Sequence, residues 1–225
     1  MLYINRVERR TFDGDCEFLR TPRHRAEIGT YVADLLRPHG LALDEELLAT
    51  GAGQSYGEMG AELIAAVVGP DEPVDLLVLA FDVPDVRPGR ATATYLSHVC
   101  PGNPRSFAIC DQGVAAPFTA LRLIRSYVDS GTCRRALLLI LEQSTLHYPA
   151  PVTARNAGVA LLCGADPGPV RLGEIRVRTD SAGRADPQPL TAGWWDLPAT
   201  VERYDPALRY RCTATFETTG ASRGP

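Results

Sequence analysis

Two uninterrupted apolar runs, VDLLVLAF at residues 74–81 and RALLLIL at residues 135–141, constrain this chain more than any other feature. Each has the length of a strand, and neither alternates with polar residues, so each requires cover on both faces of a sheet. RSFAIC at residues 105–110 and AGVALLC at residues 157–163 read as further strands, and residues 170–179 as another, beyond the turn formers at 164–168. Weak alternation over residues 2–9 marks a first strand. RYRCTATFE at residues 209–217 is a last one, with Tyr210, Cys212, Ala214 and Phe216 on one side.

Segments of helical period separate the early strands. Residues 23–36 space Ala26, Ile28, Tyr31, Val32, Leu35 and Leu36 along one face and stop at Pro38-His39-Gly40. Residues 57–68 form a second helix ended by Gly69-Pro70, and residues 91–99 a short third one. Residues 115–128 form a fourth, closing at Ser130-Gly131. Strands alternating with helices, followed by a run of strands, predict an α/β fold with a mixed sheet and helices on its faces. The 225 residues suffice for one sizeable core. Residues 1–180 are read as that domain. Residues 181–225 are a proline-rich extension with the final strand, packed on the same domain, and the 220–225 tail is expected to fray. The glycine-rich stretch GAGQSYGEMG at residues 51–60 lacks both lysine and a G-x-G-x-x-G pattern after a strand. It is a flexible start to a helix rather than a phosphate loop.

Charge and composition exclude several functions. A formal net charge of −4 offers nucleic acid no electrostatic footprint. No apolar run approaches the ~20 residues of a membrane span, and the start MLYINRVERR has no signal-peptide layout, so a cytoplasmic protein is expected. All 23 basic residues are arginine, which removes lysine-based Schiff-base and general-base chemistry. The six cysteines contain no C-x-x-C pair, so neither a metal nor another cofactor is expected.

Residues 75–179 resemble the ketoacyl-ACP synthase III group of thiolase-fold condensing enzymes. In that family a buried strand is followed by a small-residue helix, here ATATYLSHV, and by a strand leading into a nucleophile loop of the type D-I-N-A-A-C-S-G-F. A long helix ending in S-G and a strand of the type R-A-L-V-V-G-S-E come next. SFAICDQGVAAPFTALRLIRSYVDSGTCRRALLLILEQS has the same order and the same lengths. The resemblance implies a thiolase-like N-terminal half, with a mixed five-stranded sheet and helices on its faces. Nothing after that segment resembles the family's second half, where its catalytic histidine and asparagine lie.

The nucleophile loop departs from the family. Counting back without a gap from Ser130-Gly131, the family cysteine falls on Val114, and valine is no nucleophile. In the family that cysteine sits at a helix N-terminus, whose dipole and free N–H groups favour the thiolate. Cys110 lies four positions upstream. It is either a nucleophile in a shifted loop or an inward-facing strand residue. Asp111 is an acid/base candidate or a helix-capping turn residue. Gln112, Gly113 and Val114 are the candidate substrate-binding positions. His147, on the loop after a buried strand, is either a partner for Cys110 or Asp111 or a surface histidine. Trp194-Trp195 read as an acyl-channel lining or a packing anchor.

Two functions lead, ahead of a weaker third, a relic or split gene product whose function exists only in a heterodimer. One is a non-condensing accessory protein of bacterial fatty-acid or polyketide-type biosynthesis that binds a partner synthase, an acyl carrier protein or an acyl thioester such as acyl-CoA. The alternative is a repurposed acyltransferase or thioester hydrolase using Cys110 with His147 or Asp111. Because the 115–128 helix reads as apolar nearly all round, a lone half is expected to need cover. A homodimer, or a heterodimer with a ketosynthase-like subunit, would supply it.

Overall fold

In the computed structural model, which describes residues 1–149, 153–181, 183 and 188–219, the apolar runs assemble into one sheet. The elements are β1 (Tyr3–Phe12), α1 (Pro22–Leu36), α2 (Glu45–Thr50), α3 (Tyr56–Val67), β2 (Leu76–Ala80), α4 (Thr92–Val99), β3 (Arg105–Ile109), α5 (Ala116–Asp129), β4 (Arg135–Glu142), β5 (Asn156–Gly164), β6 (Val170–Thr179), α6 (Ala192–Trp195), β7 (Thr200–Asp205) and β8 (Tyr210–Thr218). The 220–225 tail and most of the polar stretch before residue 188 lie outside the described residues.

The strand order is β3-β2-β4-β5-β1-β6-β8-β7. β2 runs parallel to β3 and β4, whereas β5 is antiparallel to both β4 and β1. These five strands are the expected mixed sheet. The expectation of five falls short, however: the sheet has eight strands, because β6, β8 and β7 add an antiparallel extension beyond β1. The extension gives the outer edge of β1 backbone partners and buries Cys212, Ala214 and Phe216.

Alternation along the central strands explains their uninterrupted hydrophobicity. Leu77, Leu79, Leu137, Leu139 and Leu141 face α3 and α4 on one side. Val78, Ala80, Ala136, Leu138 and Ile140 face α5 on the other. Helix α3 starts with a capping box in which Ser55 and Glu58 satisfy each other's backbone N–H groups. The glycine-rich stretch is thus a defined helix start, with Gly51 ending α2 in the left-handed region at φ 69°.

Helix α5 corrects a second expectation. It is amphipathic, with Ala116, Phe118, Ala120, Leu121, Ile124 and Val128 buried while Arg122, Ser126 and Asp129 are exposed. Its apolar side is covered by the chain's own extension: Trp194 meets Phe118 edge-on at 4.9 Å and Phe216 at 6.3 Å. Arg125 donates to the carbonyls of Leu172 and Gly173 on β6. The face that was expected to call for a second subunit is closed within one chain. Among the described residues, no helix is long and apolar enough to cross a membrane.

Candidate functional site

β3 delivers the chain into the loop Cys110-Asp111-Gln112, and a 3-10 turn at Gly113–Ala115 leads directly into α5. Two residues of the loop adopt left-handed backbone, Asp111 at φ 58° and Gly113 at φ 49°. Aspartate tolerates this conformation comparatively well. At position 113 a glycine is needed for a second reason: an added Cβ would lie 1.8 Å from Asp205 Oδ2.

Asp205 ends β7 and is 7% exposed. Its Oδ1 accepts from the N–H groups of Ala207 and Leu208, each at 2.9 Å, in the turn opened by Asp205-Pro206. Its Oδ2 accepts from the Val114 N–H at 3.3 Å. The neighbouring Gly113 N–H donates to Asp82, whose carboxyl is nevertheless pushed up by burial and by the charges of Asp205 and Asp111. The amides leading into α5 are therefore already matched with carboxylates of the chain itself. This is the position at which a helix start would otherwise stabilise a bound or reacting anion. Among the described residues, no group of His, Cys, Asp or Glu is arranged to hold a metal ion.

Val114 faces a cavity of about 450 Å3 shared with Tyr56, Asp82, Glu142, Gln143 and Leu190. Its polar groups hold the walls in place. Glu142, 4% exposed at the end of β4, accepts from Thr191 N at 3.1 Å and Thr191 Oγ1 at 2.8 Å, while burial pushes its carboxyl up. Gln143 donates to the Pro84 carbonyl and accepts from Val86 N at 3.3 Å. The Tyr56 hydroxyl donates to the Val83 carbonyl at 2.9 Å. The described lining contains no cysteine, serine or histidine.

The loop's other candidates lie elsewhere. Cys110 is half-buried and its thiol donates to Asp111 Oδ2 at 3.3 Å. Burial, then that hydrogen bond and the Asp111 charge, push the thiol pKa up, away from a thiolate. Asp111 and Gln112 line a separate cavity on the β6–β8 side of the loop. His147 is 3% exposed and sits with Val32, Leu35, Pro84, Val86 and Tyr148 in a pocket against α1. Burial lowers its pKa, and among the described residues its Nε2 has no hydrogen-bond partner. The structure thus brings Cys110 and Asp111 together and leaves His147 in a different pocket. Trp194 is fully buried between Phe118 and Phe216. The sequence reading missed Asp82, Asp205 and Glu142 as site residues. The one local signal was the turn-forming Asp205-Pro206 pair.

The sequence matches no family model and no curated protein. Its fold does match solved structures. ChlB3, described as an acyltransferase, superposes with a TM-score of 0.53 at 19% identity, over 80% of this chain and 55% of that one. AbyA1, a tetronic acid condensing enzyme, gives 0.52 at 16% identity over 100% of this chain and 66% of that one. The 3-oxoacyl-(acyl carrier protein) synthase III, FabH, of Pseudomonas aeruginosa PAO1 gives 0.51 at 16% identity over 80% and 56%. The chain spans between 55% and 66% of the length of these proteins. It has the thiolase-like fold of the synthase III group, and the resemblance read from the sequence holds at the level of the fold.

Proposed function

We propose that this thiolase-like chain is a non-condensing, synthase III-like accessory protein of bacterial fatty-acid or polyketide-type biosynthesis. It acts in the cytoplasm by binding a partner synthase, an acyl carrier protein or an acyl thioester. One observation carries the reading: the amide of Val114, where the family's nucleophile falls, is occupied by the carboxylate of Asp205. A thiolate or oxyanion at that position would meet Asp205 and Asp82 instead of free N–H groups, so the helix start repels the charge that condensation requires. The neighbours' descriptions as an acyltransferase, a condensing enzyme and a 3-oxoacyl-(acyl carrier protein) synthase are the reason to look for acyl thioesters as ligands.

A partner subunit, whether a second copy or a ketosynthase-like protein, remains part of this reading. It docks on a surface other than the outer face of α5, which is polar. Intact mass after incubation with acetyl-CoA, malonyl-CoA and acyl carrier protein loaded with either group tests the proposal. The expected result is no covalent adduct. An adduct lost in Cys110→Ser would replace this reading with the acyltransferase or thioester hydrolase alternative.

A further inference from the structure

Residues 16–50 form a layer of their own on the sheet body. Cys16, Leu19, Ile28, Val32, Leu36 and Leu48 pack with Val86 in a cluster separate from the two that flank the sheet. The layer rests on the segment after β4 and on the loop at Pro84–Val86. Further ties are the Glu17 N–H, which donates to Glu58 Oε1 at 2.9 Å, and the Arg87 guanidinium, 3.9 Å over the Phe18 ring. Asp82 and Val83, just upstream in the same loop, wall the Val114 cavity, so the layer leans on an element that shapes that cavity.

His147 joins the two parts. Its carbonyl accepts from the N–H of Asp44, the N-cap of α2, at 2.8 Å, and its ring shares a pocket with Val32 and Leu35 of α1. The residue is 3% exposed, and among the described residues its Nε2 has no hydrogen-bond partner. The pocket measures about 30 Å3, room for about one water molecule. Its other walls at Pro84, Val86, Pro88 and Leu146 are apolar, and Asp85 and Tyr148 are the remaining titratable groups that face it. Asp85 is already engaged: Oδ1 accepts from the amides of Tyr56 at 3.2 Å and Arg87 at 3.1 Å, and Oδ2 from Thr92 Oγ1 at 3.1 Å. Burial raises this carboxyl to about 7, so in acid the pocket holds no counter-charge there. For the histidine itself burial is the largest influence and opposes the imidazolium, while the Ala52 backbone and the charge of Asp44 favour it.

We infer that His147 is an acid-sensitive latch: a proton taken from solvent onto Nε2 releases residues 16–50 from the sheet body, which stays folded. An imidazolium needs acceptors for both of its N–H groups. The closed pocket supplies none at Nε2 and is too small to hydrate a charge. Once the layer lifts, the ring titrates near the ordinary ~6.5. The stability of the closed form is therefore complete above that value and declines as pH falls below it. Asp85 does not oppose the release, because its three donors all lie outside the layer. The latch stands whether or not the accessory reading does.

Cys16 reports the opening. It is fully buried, and burial and then the charge of Glu58 push its thiol up to about 11, which places it against the sheet body. Cys163 and Cys212, fully buried on the sheet, report global unfolding. Labelling of the full chain with dithiodipyridine, mapped by peptide mass and scaled to the urea-unfolded protein at each pH, reads both. From about pH 7.5 to pH 5 the scaled Cys16 rate should rise about tenfold or more, while Cys163 and Cys212 stay unlabelled. His147→Leu, which fills the pocket but takes no proton, should hold the rate flat. His24→Gln, stacked on Phe18 in the same layer, should keep the rise. If His147→Leu fails to fold, the wild-type His147 ring titration followed by NMR takes its place and should track the Cys16 rate. A flat wild-type profile, a rise shared by Cys163 and Cys212, a rise surviving in His147→Leu, a rise lost in His24→Gln, or a His147 titration that does not track the labelling would each overturn the inference.

Discussion

The backbone N–H of Val114 and the Oδ2 of Asp205, 91 residues apart in sequence, are joined by a 3.3 Å hydrogen bond. The contact ties the C-terminal extension to the start of α5 and fills an anion-binding position with a carboxylate that belongs to the fold. Gly113 is shaped by the same carboxylate, since no side chain fits between them. A nucleophile at this point would be surrounded by negative charge, from Asp82 and Asp205 together.

If Asp205 is the local keystone, removing it costs stability. Asp205→Ala should destabilise the protein by about 1–2 kcal/mol, because the amides of Val114, Ala207 and Leu208 lose their acceptor while carboxylate repulsion is relieved. Gly113→Ala should cost more, about 2–3 kcal/mol, through its positive φ and the clash with Asp205. The two effects should be strongly non-additive in the double variant. Urea denaturation of the four proteins measures this directly, and simple additivity would count against the contact.

The C-terminal extension completes the core instead of decorating it. Trp194→Ala should destabilise by about 3–5 kcal/mol, since the indole is fully buried against Phe118 and Phe216. A chain truncated after residue 181 should be insoluble or bind a hydrophobic dye strongly, because Phe118, Leu121 and Ile124 would be uncovered. A soluble, cooperatively folding truncation would show that α5 does not depend on this cover.

Thiol chemistry should be slow and singular. Cys110 is half-buried while the other five cysteines are buried, so mild iodoacetamide treatment at pH 8 should add one label, absent in Cys110→Ser. Asp111→Asn should speed the labelling, since Asp111 raises the thiol pKa through its hydrogen bond and charge. His147→Ala should leave the rate unchanged, as His147 lies in the pocket against α1. Rapid labelling that depends on His147 would contradict this arrangement.

Stability should depend on pH through Asp85, which burial raises from 3.8 to about 7 against the hydrogen bonds of Tyr56 and Thr92. Between those values the folded chain keeps a proton that the unfolded chain has released, so this group's contribution declines as pH rises from ~4 to ~7. Asp82 and Glu142, also raised mainly by burial, act in the same direction. His147 acts oppositely: burial lowers its pKa, so its contribution is present above ~6.5 and is lost as pH falls. Asp85→Asn isolates one group. Its stability relative to the wild type should improve from pH 4 to about pH 7 and level off above that, and a constant difference across this range would contradict the assignment.

Much of the fold was legible because burial on both faces leaves a plain trace in composition. The runs around Leu77 and Leu138 marked strands covered on both sides, and the S-G stop at Ser130-Gly131 fixed the end of α5 within a residue. Helix α2 was missed because it spans six residues with a single buried position, Leu48. β7 was missed because TVERYD reads as polar, although Arg203 and Asp205 are buried through hydrogen bonds that sequence does not display. The candidate site was legible at Val114, by counting from the helix end. It was not legible at Asp82 and Asp205, whose roles come from long-range contacts with the loop. The pairing of Cys110 with His147 could not be judged from spacing alone, because the pocket against α1 is built from α1, the loop at Pro84 and the residues after β4.

The central claim, that carboxylates hold the start of α5 against a reactive anion, is tested most directly by the thiol pKa of Val114→Cys, read from alkylation rate against pH. The account predicts a value above the ordinary ~8.5, falling when Asp205→Asn is added. A value well below ~8.5 that Asp205→Asn leaves unchanged would mean that the helix start still activates a nucleophile, and would contradict the account.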